Sequence, residues 1–256
     1  MGSEDGTTED RLAWDRGWAR WALQRWEPFP VDRLPRPLVL TGSPFRFERG
    51  FRSGEAKLAF LYGDIRAAVP LPDGLLEVLR GGEDGPPAVP GRRRWSSPLL
   101  VTQASPDHAK FGTDRGRREF PAWRLRGPDV DGVFWVLDPA VAAMRWEPPE
   151  PAPPKPSDGL PHRAVSATID GDDRTLHVTF TGARPEYAEY PAAEVIETSQ
   201  ALVVLPIARD IGPPGWRATV GCARTVTARL ARPLGSRVVV DLDASPVMVD
   251  PGTSPR

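Results

Sequence analysis

Apolar positions near the N-terminus recur with a helical period. Within EDRLAWDRGWARWALQRW (9–26), Trp14, Trp18 and Trp21 stand at i, i+4 and i+7, a spacing that puts three indoles on one helical face. Leu12, Ala19, Leu23 and Trp26 cover an adjoining arc, and Arg16, Arg20, Gln24 and Glu27 lie opposite. Gly17 weakens such a helix by about 1 kcal/mol relative to alanine. Pro28 and Pro30 stop it.

From Leu38 the period becomes that of strands. LVL, FRFERGF, EAKLAFLY and IRAAVPL are short and punctuated by turn residues, and Leu75–Leu79 is an apolar run of either type. Strand-like runs resume at Ser97–Gln103, Glu119–Arg126, Val133–Leu137 and Val141–Trp146. SPDHAKFGTDRG (105–116) reads as a loop, and Pro128–Gly132 as a hairpin connection. Further on, Arg163–Ile169 and Thr175–Thr181 flank Asp170-Gly171-Asp172-Asp173, a hairpin signal. Strands follow at Glu194–Thr198, Ala201–Ala208, Arg217–Leu230, Ser236–Leu242 and Val247–Val249.

Between these regions, EPPEPAPPKP (147–156) holds six prolines in ten residues. No helix interior or central strand tolerates that density, because each proline removes an N–H and fixes φ. The expected architecture is therefore mostly β. Two antiparallel β-sandwich or small-barrel modules, 31–146 and 158–250, are joined by a proline-rich spacer, 147–157. One amphipathic tryptophan-rich helix (9–27) precedes them, and short disordered ends (1–8 and 251–256) complete the chain.

Composition narrows the function classes. The 33 basic and 34 acidic residues nearly cancel, so no global charge draws the chain to nucleic acid, and only a local patch can do so. There is no asparagine, which removes every scheme needing an Asn orienter or ligand. The single cysteine, Cys222, forms neither an intramolecular disulfide nor a thiolate cluster and reads as a structural thiol. No basic-then-apolar leader and no run of about 20 apolar residues is present. A cytoplasmic protein with no membrane span is the expectation.

Catalytic motifs fail on spacing. Val238-Val239-Val240-Asp241-Leu242-Asp243 has the strand-then-DxD form of haloacid-dehalogenase-type phosphatases. Only eleven residues follow Ser245, too few for the domain that completes such a site, so the segment reads as a polar turn. His108, His162 and His177 show no H-x-H or H-x-x-x-H pair, and no metal or cofactor is expected. The turn acids Asp170, Asp172 and Asp173 are too few for calcium. Arg92-Arg93-Arg94-Trp95 reads as a solvated loop. Trp95, Trp123, Trp135, Trp146 and Trp216 read as packing residues, with an aromatic platform for sugar or peptide as the alternative.

FGTDRGRREFPAWRLRGPDVDGVFWVLDP (111–139), TLHVTFTGARPEYAEYPAAEVIETSQALVVLPI (175–207) and GCARTVTARLARPLGSRVVVD (221–241) resemble segments of actinobacterial β-rich proteins to which no activity is assigned. The resemblance implies a β-module. Many such proteins carry a signal sequence or a lipobox cysteine, and neither pattern is seen here.

The sequence thus favours a non-enzymatic protein that binds a protein or peptide, self-association included, through Trp14, Trp18 and Trp21. For the helix face itself, packing onto the chain's own β-module is the first reading, docking onto another protein or a second copy the next, and membrane-surface association the last, with Asp10, Asp15 and Glu27 against it. Two alternatives stand: a hydrolase of unfamiliar type, with a site between the modules near Asp107 and His108, and a small-ligand or carbohydrate binder using surface tryptophans.

Overall fold

A computed structural model describes residues 8–80, 97–149, 164–212 and 221–252. The proline run from residue 150 onward lies outside them, as do Arg92–Trp95, His162 and Trp216. Residues Thr8–Trp26 form α1, as the tryptophan spacing predicts. The chain makes two compact units. The first takes residues 1–41, 112–116 and 146–256, and the second takes 42–111 and 117–145.

The second unit holds β1 (Phe45–Phe47), β2 (Gly50–Phe51), α2 (Gly54–Leu61), β3 (Ile65–Ala67), α3 (Leu75–Leu79) and β4 (Leu99–Val101). Most of β5 (Gln103–Thr113) and β6 (Gly116–Arg126) belongs to it, with β7 (Val130–Asp131), β8 (Phe134–Leu137) and α4 (Pro139–Ala142). Its main sheet has the order β1-β8-β6-β5. Phe45, Phe47, Phe134, Val136, Trp123 and Leu125 point from it into a core shared with Ala59, Phe60 and Leu75 of the short helices.

Two strand expectations and one loop expectation are corrected here. EAKLAFLY forms helix α2, because Ser53 caps it by accepting the Ala56 N–H at 3.1 Å and Ala56, Ala59 and Phe60 are buried at helical spacing. The start of Val141–Trp146 is helix α4, started by Asp138, which accepts the Ala140 N–H at 2.9 Å, with Pro139 in the first turn. SPDHAKFGTDRG is largely strand β5 rather than loop: its Pro106 is tolerated because β5 is a sheet edge. The chain therefore has four helices among the described residues, not one.

The first unit contains β9 (Ala164–Ile169), β10 (Thr175–Gly182), β11 (Ala188–Glu197), β12 (Ala201–Asp210), β13 (Cys222–Arg229), β14 (Val238–Val239) and β15 (Val249–Pro251). They build two sheets, β13-β10-β9-β15 and β11-β12-β14. The β9–β10 hairpin turns at Asp170–Asp173, where Asp173 adopts φ 54°. Pairing is mostly antiparallel, but β12–β14, β15–β9 and, in the second unit, β3–β4 are parallel. None of the described sheets closes into a barrel.

Strand β12 is central to this unit. Leu202 and Val204 face a core with Leu176, Val178 and Phe180 of β10 and Val226 and Ala228 of β13. Ala201, Val203 and Leu205 face the other way, onto Ala19, Ala22, Leu23 and Trp26 of α1. Burial on both faces explains why ALVVLPI is continuously apolar rather than alternating. On that side α1 packs onto the chain's own sheet by the arc beside the tryptophan row. The alanines at 19 and 22 let the helix approach closely. Among the described residues no helix is long and apolar enough to cross a membrane.

Candidate functional site

On α1 the three predicted tryptophans form a continuous row. Trp14 meets Trp18 edge-on at 5.8 Å between ring centroids, and Trp18 meets Trp21 at 5.5 Å. Trp18 and Trp21 are half-buried against the core, whereas Trp14 is 43% exposed. The Arg25 guanidinium lies 5.3 Å from the centre of the Trp21 ring. Arg16 fixes the helix by a two-pronged ion pair with Glu194 of β11, its closest contact being 2.8 Å. Beside the row, Gly17 has no neighbouring atom within 4 Å of a would-be side chain, so the surface there is open.

Asp107 and His108 sit on edge strand β5. Asp107 Oδ2 accepts the Trp135 indole N–H at 3.0 Å, and Oδ1 accepts the His108 backbone N–H at 2.8 Å. The Trp135 hydrogen bond is the main cause that holds the Asp107 carboxyl below its ordinary value, with Arg124 adding to it. A carboxylate so committed is a poor proton acceptor, and the His108 side chain is exposed rather than aimed into a cavity. This pair orients an indole and brings no nucleophile with it.

Sequence reasoning missed a hydroxyl–imidazole–carboxylate chain on the sheet of the first unit. His177 Nδ1 lies 3.0 Å from Thr227 Oγ1, and its Nε2 lies 3.3 Å from Asp170 Oδ2. The signal was the register, which sets His177 directly opposite Thr227. The face is open to solvent, and the β10 backbone is paired on both sides.

The acidic motifs are structural. Asp172 accepts the Arg174 and Thr175 N–H groups, both at 2.8 Å, as well as the Thr175 hydroxyl and Arg229. The Arg174 N–H leads in holding its carboxyl far below the usual range. Asp173 accepts the Gly235 N–H at 2.9 Å. Asp241 and Asp243 are buried in a turn, accepting the N–H groups of Leu242 at 2.8 Å and Ser245 at 3.0 Å. Trp26 Nε1 ties α1 to that turn by donating to the Ala244 carbonyl at 2.8 Å.

The remaining described tryptophans are committed. Trp123 donates to Asp138 at 3.0 Å, and Trp146 packs at a tilt on Trp26 and edge-on against Phe29. Cys222 is half-buried, its Sγ 3.6 Å from the Ala183 carbonyl. In the second unit an open cavity of about 420 Å³ is lined by Val69, Leu71 and Leu76, with Asp73, Glu77 and Arg80 among its polar residues. Among the described residues no group of three or more His, Cys, Asp or Glu side chains converges as a metal site.

Comparison of the chain with protein-family models, with curated proteins and with solved structures finds no match.

Proposed function

We propose that this is a non-enzymatic binding protein built from two β-rich, sandwich-type units. In this reading it holds a protein or peptide partner at the tryptophan row of α1. One observation carries the proposal: Trp14 is 43% exposed although it ends a continuous aromatic row on a helix otherwise locked to its own sheet. An indole left in water forgoes about 2 kcal/mol of burial, and a rigid helix presents it without further ordering cost. The half-exposed flanks of Trp18 and Trp21 extend the contact, in the manner of helix recognition through i, i+4 and i+7 anchors.

The test compares wild type with Trp14→Ser in the full chain. Sedimentation velocity reads self-association. Affinity capture from the source cells, read by mass spectrometry, compares what each form retains. The proposal requires a species, a second copy or another protein, that wild type holds and Trp14→Ser loses at unchanged melting temperature. Identical association by both forms overturns it.

A further inference from the structure

Charge is unevenly divided along the chain. The first unit carries 18 basic and 22 acidic residues, net −4, and the second carries 15 basic and 12 acidic, net +3. The near-neutral total conceals a basic module. Part of that charge lies on the outer face of the β1-β8-β6-β5 sheet, opposite its phenylalanine core. There Arg46 of β1, Trp135 of β8 and Arg124 of β6 are direct cross-strand partners and form one row.

The row has two unusual properties. Its guanidiniums are largely unused: Arg46 makes no hydrogen bond or ion pair among the described residues, only a cation–π contact 5.5 Å from the centre of Trp135. Arg124 reaches a carboxylate only at 3.9 Å, on Asp107. Arg126, two residues along β6 and so on the same face, is exposed, and its side chain has no partner among the described residues. The indole between them is held in place, because Asp107 accepts its N–H at 3.0 Å. Neighbouring strands are about 4.8 Å apart, so Arg46 and Arg124 stand about 10 Å apart across the row, with Arg126 about 7 Å further along β6.

We propose that this face binds single-stranded nucleic acid. Arg46, Arg124 and Arg126 take successive phosphates of one extended strand, and Trp135 offers its ring to a base once Arg46 swings from the indole to a phosphate. Planar guanidiniums with most of their donors free match phosphate oxygens in a two-pronged geometry. An oriented aromatic among them is the stacking platform of sequence-tolerant single-strand binding. A duplex keeps its bases stacked inside and has nothing to give Trp135, so it is the poorer ligand.

The probe is a fluorescein-labelled mixed-sequence 12-mer of single-stranded DNA, titrated with the full chain and read by anisotropy. Three phosphate contacts give a slope of log K against log salt near −2. Arg46→Ala and Arg124→Ala are each expected to weaken binding about tenfold and flatten that slope, and Trp135→Ala to weaken it about tenfold without changing the slope. Arg20→Ala, on α1 of the first unit, is expected to change nothing. Circular dichroism confirms that each variant is folded. If Trp135→Ala is unfolded, a duplex of the same sequence and inorganic polyphosphate take its place as the readout, and both must bind at least tenfold more weakly than the single strand. No binding overturns the proposal. So does binding that survives both arginine substitutions, or equal affinity for single strand, duplex and polyphosphate, which would mean charge alone.

Discussion

Two regions use arginine differently, a loop of the first unit and a sheet face of the second. Around the loop at residues 232–237 of the first unit, arginines donate to polar backbone. Arg237, 6% exposed, pairs with Glu197 and donates to the carbonyls of Arg232 and Pro233. Arg115 donates to the carbonyls of Gly235 and Arg237, and Arg36 binds Asp114 and the Ser236 carbonyl. These guanidiniums brace the loop at residues 232–237 by donating to its carbonyls. In the second unit, Arg46 and Arg126 stand on a regular sheet whose backbone is already satisfied, so their donors remain available. Arginine holds irregular structure together around that loop and keeps its donors free on the sheet face.

The largest expected effect tests the buried side of that contrast. Trp26→Ala removes an indole packed on Phe29 and Trp146 and its hydrogen bond to Ala244. A loss of about 4 kcal/mol is expected in urea unfolding. A shift below 1 kcal/mol would show that α1 does not complete the core of the first unit.

Next is Arg237→Ala, expected to cost about 3 kcal/mol by leaving Glu197 and two carbonyls short of a donor. The same experiment on Arg46→Ala should stay within about 0.5 kcal/mol. Equal effects from the two substitutions would erase the distinction between bracing and available arginines.

The acid limb sharpens the comparison. Burial pushes the Glu197 carboxyl up, but the Arg237 hydrogen bond, the Ala231 N–H and the charges of Arg237 and Arg232 outweigh it, and the net direction is down. The folded state therefore holds a proton at Glu197 less readily than the unfolded chain, whose value is about 4.3. The stabilisation is fully present above that value and is lost as pH falls through the lower folded value. Chemical unfolding from pH 6 to pH 3 should show stability falling below about pH 4.3, with a shallower fall in Arg237→Ala. Parallel curves for the two proteins would remove Glu197 from the account.

Where local signals agreed, the sequence was readable. The period of α1, the Asp170–Asp173 turn and the alternation of β10 all stand in the structure, because each depends on residues within a few positions of one another. EAKLAFLY misled because an eight-residue apolar run fits either period, and its capping serine lies just outside the run. In the sequence Asp107 stands as an acid beside a histidine. Its actual partner, Trp135, is 28 residues away.

By itself the sequence determined a mostly β chain with an aromatic helix, since period, proline density and turn chemistry are local properties. Only tertiary structure decided which arc of α1 is covered, which arginines are consumed by carbonyls, and that Arg46, Trp135 and Arg124 share one row. Those outcomes follow from strand register, and register is fixed by long-range pairing and by which face is buried.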